Sequence, residues 1–345
     1  MRFLWTLIAV LLLEAALCRA CAAELTLRVK KSGEGLLLNA AHSGSSIEVP
    51  VKRATAASLM AIRFSIECEA LGYEACYEEK RGLLEGDRQI FENEELLQVM
   101  RKVGQKIFGP LTPMIKEADL IKIVLPIELL RIPMDAVYLN GNPLFLQKPI
   151  VYALDKYAED SRFPVSSATP AILISDPTAD PGKAVPELLD LFPTAKLLSA
   201  KDLEPLRLQS HEPVTLAVIS AHGRVGRESD DIIQITEGPI ISPELIVALQ
   251  PKLVYLDSCN LAGSARYLKA LRAGGVKYLL APIVSNEAGN SSTQTIQNFF
   301  RHLTAMGDAV SALHATRKDL YAAYGNDALR VRLWRAFAFR IYALN

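Results

Sequence analysis

Apolar positions along the chain fall into two rhythms. Near the start, Leu25, Leu27 and Val29 alternate with polar residues, the period of a half-buried strand. Leu36-Leu37-Leu38 and Ile47 to Val49 continue a small antiparallel unit, with Ser43-Gly44-Ser45-Ser46 as its turn. Ala54 to Glu69 is rich in Ala, Leu, Met and Ile and predicts a helix, and the charged, Gly-punctuated Glu78 to Gly86 predicts a surface loop. Glu94 to Phe108 places Leu96, Leu97, Met100, Val103 and Ile107 at helical spacing, and Gly109-Pro110 stops the helix. Leu120 to Val124 and Pro149 to Ala153 predict extended segments. Asn140-Gly141-Asn142-Pro143 makes a turn between them, and the polar stretch Glu159 to Pro170 predicts a linker.

The second half changes rhythm. Ala171 to Ile174, Thr215 to Ile219, Leu253 to Leu256 and Tyr278 to Ala281 are short, continuous apolar runs. Such runs mark parallel strands covered on both faces. Helical stretches lie between and after them: Val185 to Leu191, Ser242 to Leu249, Ala265 to Ala273, Asn290 to Met306 and Ala309 to Tyr324. Ser242 before Pro243 supplies an N-cap and first-turn pair, and Gly274-Gly275 ends the helix before it. The alternation predicts an α/β fold: a mostly parallel sheet with helices on both faces, plus a small amino-terminal α+β extension. The expected organisation is a signal peptide over 1–23, the extension over 24–88 and the main domain over 89–345.

Composition narrows the setting. With 345 residues, 50% of them hydrophobic, the chain can bury a large core. Basic and acidic residues balance at 38 each, so no global charge steers it to nucleic acid or an anionic membrane. Arg2, the apolar run Phe3 to Leu13 and the small-x-small pattern Ala20-Cys21-Ala22 read as an export signal cleaved near Ala22 or Ala23. The run is too short for a comfortable span, which needs roughly 20 apolar residues. Cys21 also permits a lipid anchor, and an uncleaved segment would be an amino-terminal membrane anchor. The expected product is periplasmic or secreted, without a stable membrane span.

After cleavage three cysteines remain, Cys68, Cys76 and Cys259. Cys68 and Cys76 can pair across a turn at Leu71-Gly72-Tyr73; in a continuous helix they would lie too far apart to bridge. Either way Cys259 is the candidate free thiol. Functional residues of parallel sheets collect at carboxyl ends of strands. Here one run ends in Ser220-Ala221-His222-Gly223 and the next in Asp257-Ser258-Cys259-Asn260. A thiol attacks as thiolate, and a histidine in hydrogen-bond reach can take its proton. Neighbouring strand ends would bring the two together without adjacency in sequence. The N–H groups at Gly223 and Cys259 could then hold an oxyanion. Each residue alone has an ordinary explanation, a buried small hydrophobe or a packed imidazole. His42, His211, His302 and His314 show no metal-ligand spacing, and no metal is expected. The glycine motifs of nucleotide binding and the Gly-x-Ser-x-Gly of serine hydrolases are absent, which argues against those classes.

Ser-Ala-His-Gly followed 37 residues after the His by Asp-Ser-Cys resembles the peptidase clan of caspases, metacaspases, gingipains, clostripain and separase. Within it the chain most resembles the CHAT family. Leu130-Arg131-Ile132-Pro133-Met134-Asp135-Ala136-Val137 resembles its L-P-F-x-x-L segment, and Ile232 to Ser242 its hairpin and helix start. Ala270 to Val276 resembles its F-L-x-A-G-A stretch, and Trp334-Arg335-Ala336-Phe337 its closing W-A-A-F. The likeness covers most of residues 90 to 345. It implies a caspase-like sheet and a thiol peptidase without cofactor, acting on a protein or peptide, with an activating protein partner as a further expected contact. His222 and Cys259 match the dyad and Gly223 the oxyanion glycine. Asp257 matches the acid that in metacaspases pairs with a basic side chain before the cut; as a plain residue it could equally cap the following turn. Asp230 and Asp231 are expected to be solvated. The family's L-W-x-V segment reads Pro282-Ile283-Val284 here, which alters the pocket wall. The rival classes are an inert binding or scaffold protein on the same fold and a non-peptidase acyl-transfer or small-ligand protein.

Overall fold

The computed structural model describes residues 23–33, 35–71, 90–154, 165–199, 201–203, 213–226 and 231–344. The expected export signal, the expected surface loop over 78–86, Cys76, His211 and Asp230 lie outside the described residues.

The amino-terminal strands are β1 (Glu24–Ser32), β2 (Gly35–His42), β3 (Ser45–Val51) and β4 (Leu120–Val124). The short pair β5 (Tyr138–Leu139) and β6 (Asn142–Pro143) precedes β7 (Ile150–Ala153). Then come β8 (Ala171–Ser175), β9 (Lys196–Leu198), β10 (Leu216–Ser220), β11 (His222–Arg224), β12 (Ile232–Gln234) and β13 (Ile240–Ile241). The last are β14 (Leu253–Asp257), β15 (Tyr278–Pro282) and β16 (Phe339–Ala343). The principal helices are α1 (Arg53–Leu71), α2 (Asn93–Phe108), α3 (Pro243–Ala248), α4 (Ala265–Ala273), α5 (Asn290–Met306), α6 (Ala309–Ala323) and α7 (Leu329–Phe337).

Eleven strands form one sheet in the order β3-β2-β1-β4-β7-β16-β15-β14-β10-β8-β9. Its pairings are parallel except β1–β2, β2–β3 and β15–β16. The antiparallel β15–β16 step separates two parallel blocks running in opposite directions, β1-β4-β7-β16 and β15-β14-β10-β8-β9. All residues of β10, β14 and β15 are buried, which requires cover on both faces. On one of them Tyr255 meets Phe299 and Phe300 of α5 and stacks on Phe339, with ring centroids 5.3 Å apart in that stack. The amino-terminal hairpins continue the sheet, because β1 pairs in parallel with β4, and Leu25, Leu27, Leu38 and Ile62 join the common core.

Two features escape the apolar rhythm. The closing strand β16 lies between β7 and β15 in the middle of the sheet, although it comes last in the chain. The segment Leu130 to Val137 is not a strand but a series of tight turns. Its Asp135 is fully buried, accepting from Tyr152 and from Arg317 Nη1 at 3.0 Å, while Arg340 donates to the carbonyls of Leu130 and Ile132. Two buried guanidiniums are tolerated there because a carboxylate and backbone carbonyls face them. Cys68 on α1 is buried and disulfide-bonded. Among the described residues no helix is long and apolar enough to cross a membrane.

Candidate active site

β10 and β14 are hydrogen-bonded neighbours, in parallel, with Ser220 opposite Asp257. The pairing runs one residue further, since Ala221 N–H donates to the Asp257 carbonyl at 3.2 Å. The His222-Gly223 and Ser258-Cys259 segments therefore leave the sheet side by side, as expected from the sequence. Gly223 is needed there for space. A Cβ on it would lie 2.6 Å from Cys259 N and 2.7 Å from the Ser258 carbonyl carbon. With hydrogen in its place, the two turns close on each other.

Cys259 is half-buried and free. Its Sγ points its proton at the Asn286 carbonyl, 3.9 Å away. Burial pushes the thiol up, the Asn286 contact offsets part of that rise, and the negative charges of Asp257 and Glu67 add to it. No hydrogen bond joins Sγ to the imidazole. His222 opens the hairpin β11–β12–β13 and is exposed. Its Nε2 lies 2.7 Å from Thr178 Oγ1. Thr178 Oγ1 also sits 2.8 Å from Asp176 Oδ1 and 2.7 Å from Thr236 Oγ1. A hydroxyl has one proton and two lone pairs. With its proton on the Asp176 carboxylate, Thr178 accepts from Nε2–H and from Thr236. That arrangement leaves Nδ1 of His222 as the basic nitrogen. Burial raises the Asp176 carboxyl, but bonds from the N–H and hydroxyl groups of Thr236 and Thr178 outweigh it, and the group stays ionised below the usual carboxylate range.

Asp257 lies beneath the cysteine, 4% exposed. Its Oδ2 accepts from Ser220 at 2.8 Å and from Ser292 at 2.7 Å, and its Oδ1 from the Asn286 amide. Burial drives its pKa up to about 6 in spite of these three donors, with nearby Asp180 adding to the rise. It does not cap the following turn. Asp231 corrects the expectation of a solvated acid. It is buried, accepting from Gly226 N–H at 3.0 Å and from Ser264 Oγ at 2.6 Å. Ser264 in turn caps α4 through Tyr267 N–H, so Asp231 fastens the hairpin to that helix. Asp230 lies outside the described residues.

The sequence reading did not single out Asp176, Thr178, Thr236 or Asn286. The first two were within its reach: Asp176-Pro177-Thr178 directly follows β8, at the same edge of the sheet as His222 and Cys259. Asn286 follows β15 by four residues, too far along a loop for spacing to place it. Among the described residues no group of three His, Cys, Asp or Glu is arranged to hold a metal ion.

A large mixed, mostly parallel sheet of this kind is a caspase-like α/β fold. The chain is similar in fold to separase in the crystal structure of the Saccharomyces cerevisiae separase–securin complex, with a TM-score of 0.57 and 10% sequence identity. The likeness covers 94% of this chain and 30% of that one, so this chain spans under a third of its neighbour's length. No family model matches the sequence, and no curated protein does.

Proposed function

We propose that the chain is a cysteine endopeptidase of caspase-like type that acts through Cys259 and His222. The observation carrying this reading is the register of β10 on β14, which sets the imidazole-bearing turn and the thiol-bearing turn against each other at Gly223. In the reaction His222 Nδ1 takes the thiol proton and the thiolate attacks the carbonyl carbon of the scissile bond. The N–H groups of Gly223 and Cys259 face the developing oxyanion. The carbon–nitrogen bond breaks as the imidazolium returns its proton to the leaving amine, and water then hydrolyses the thioester with His222 as base. Asp176 and Thr178 keep the imidazole in the Nε2–H tautomer. We assign Asp257 to a basic side chain before the scissile bond, so the preferred cut follows Arg or Lys. We assign the enzyme to a site outside the cytoplasm on the reading of residues 1–23 as an export signal, and the raised thiol fits an enzyme kept latent until a protein partner or substrate closes His222 onto Cys259.

A second reading, an inert binding or scaffold protein on the same fold, draws on a specific observation: the imidazole is bonded to Thr178 while the thiol faces Asn286. The test is peptide hydrolysis by the chain beside Cys259→Ala and His222→Ala, with Arg, Lys, Asp or Leu before the reporter. Cleavage after Arg or Lys that vanishes in both variants supports the dyad and Asp257 together. Cleavage after Asp keeps the dyad and removes Asp257 from specificity. No cleavage and no labelling of Cys259 by a thiol-directed probe establishes the inert reading. Labelling without turnover identifies a competent, latent site.

A further inference from the structure

The amino-terminal helix α1 reaches the nucleophile turn from the far side of the chain. Arg63 is 4% exposed and Glu67 fully buried, and their side chains pair at 3.3 Å one turn apart on that helix. Neither residue has an apolar reason to be there. Arg63 Nη2 donates to Asn260 Oδ1 at 2.8 Å, directly after the nucleophile, and its Nε donates to the Ile283 carbonyl at 3.1 Å. Glu67 Oε1 accepts from Ser285 Oγ at 3.4 Å, and Ser285 Oγ accepts from Asn260 Nδ2 at 3.0 Å. Asn260 sits in the left-handed region at φ 63°, a conformation that its neighbours must hold in place. The loop so gripped, Ile283 to Asn286, carries the carbonyl facing the Cys259 thiol.

We propose that Arg63 and Glu67 are positioning residues for Cys259: they clamp the Cys259–Asn260 turn to the Ile283–Asn286 loop, making α1 a part of the site. This deepens the peptidase reading and depends on it only for the effect on turnover. The charged and titratable groups around the thiol are Asp257 from β14, His222 from β11 and the Arg63–Glu67 pair from α1. Glu67 contributes to raising the thiol; Arg63, its ion-pair partner, carries the opposite charge, so removing one should act on the thiol with opposite sign to removing the other.

The experiment follows alkylation of Cys259 in the full chain by iodoacetamide against pH, read by mass spectrometry of the peptide containing it. Glu67→Gln, nearly isosteric, should lower the alkylation midpoint by about half a pH unit, about three-fold in rate below the midpoint. Arg63→Met should raise it, and Arg63→Lys, keeping the charge without the planar fork, should restore the midpoint while kcat stays about ten-fold down at little-changed KM. If Arg63→Met does not fold, Glu67→Gln decides. Melting temperatures that fall with an unmoved midpoint in Glu67→Gln overturn the proposal. Shifted midpoints in a chain that cleaves no peptide leave the clamp standing and remove the peptidase reading; cleavage by the wild type with unaltered midpoints in the variants does the reverse.

Discussion

The two strand ends that carry the candidate dyad are built in different ways. The β14 end is dry. Asp257 and Ser258 are buried and Cys259 and Asn260 half-buried, a carboxylate is held by three side chains, and a helix from the amino terminus grips the following turn. The β10 end is wet. His222, Thr178 and Thr236 are exposed, and one hydroxyl relays the imidazole to Asp176. A buried, cross-linked turn resists displacement, because moving it strands polar groups in a low-dielectric interior. An exposed ring tied by a single hydroxyl turns at little cost. In the proposed dyad the thiol is therefore the fixed member and the imidazole the movable one, and any activation should act on the histidine side.

The contrast can be broken most strongly where the two ends touch. Gly223→Ala drives a methyl into the backbone of Cys259, and urea unfolding should show a loss of about 3 kcal/mol. An effect below about half a kcal/mol would mean that the two turns slide apart freely. Next is the buried carboxylate. Asp257 keeps its proton up to about pH 6 in the fold, whereas an unfolded aspartate releases it near 3.8. Its favourable contribution is therefore complete below pH 3.8 and is lost as pH rises through about 6, a change of about 3 kcal/mol. Thermal melts of Asp257→Asn should show a flatter fall of stability between about pH 4 and pH 6 than the parent chain. The same titration predicts that the ratio of kcat/KM for Arg substrates to that for Leu substrates, in which the shared dyad ionisations cancel, rises with pH through about 6, if Asp257 meets the substrate.

Ser292→Ala removes one donor to the same carboxylate and should cost about 1–2 kcal/mol by urea unfolding. The smallest effect on stability belongs to the wet end. Thr178→Val should change it by no more than about half a kcal/mol, as expected of an exposed side chain. Its effect should fall on chemistry: imidazole nitrogen shifts should report a mixture of tautomers, and turnover should drop about ten-fold. A large loss of stability in Thr178→Val with an unmixed tautomer would erase the contrast between the two ends.

Much of this was legible in the order of residues. Four continuous apolar runs could only be strands covered on both faces, and the His-Gly and Asp-Ser-Cys pieces at two of their ends pointed to one edge of one sheet. Leu25, Leu27 and Val29 likewise declared an alternating strand. These are local signals, because period and strand polarity are written into consecutive residues. What only the tertiary structure decided depends on groups far apart in sequence. Burial settled Asp231, whose carboxylate an acid-rich stretch had suggested to be solvated. Sheet order put the last strand, β16, at the centre and made the antiparallel seam. The approach of loops brought Thr178 to His222 and Asn286 to Cys259, and the docking of α1 set Arg63 and Glu67 behind the nucleophile. A residue's spacing fixes its face on its own element. Which carboxylate, hydroxyl or carbonyl it meets across the core is fixed by packing, where distance and desolvation act between residues that the chain does not place together.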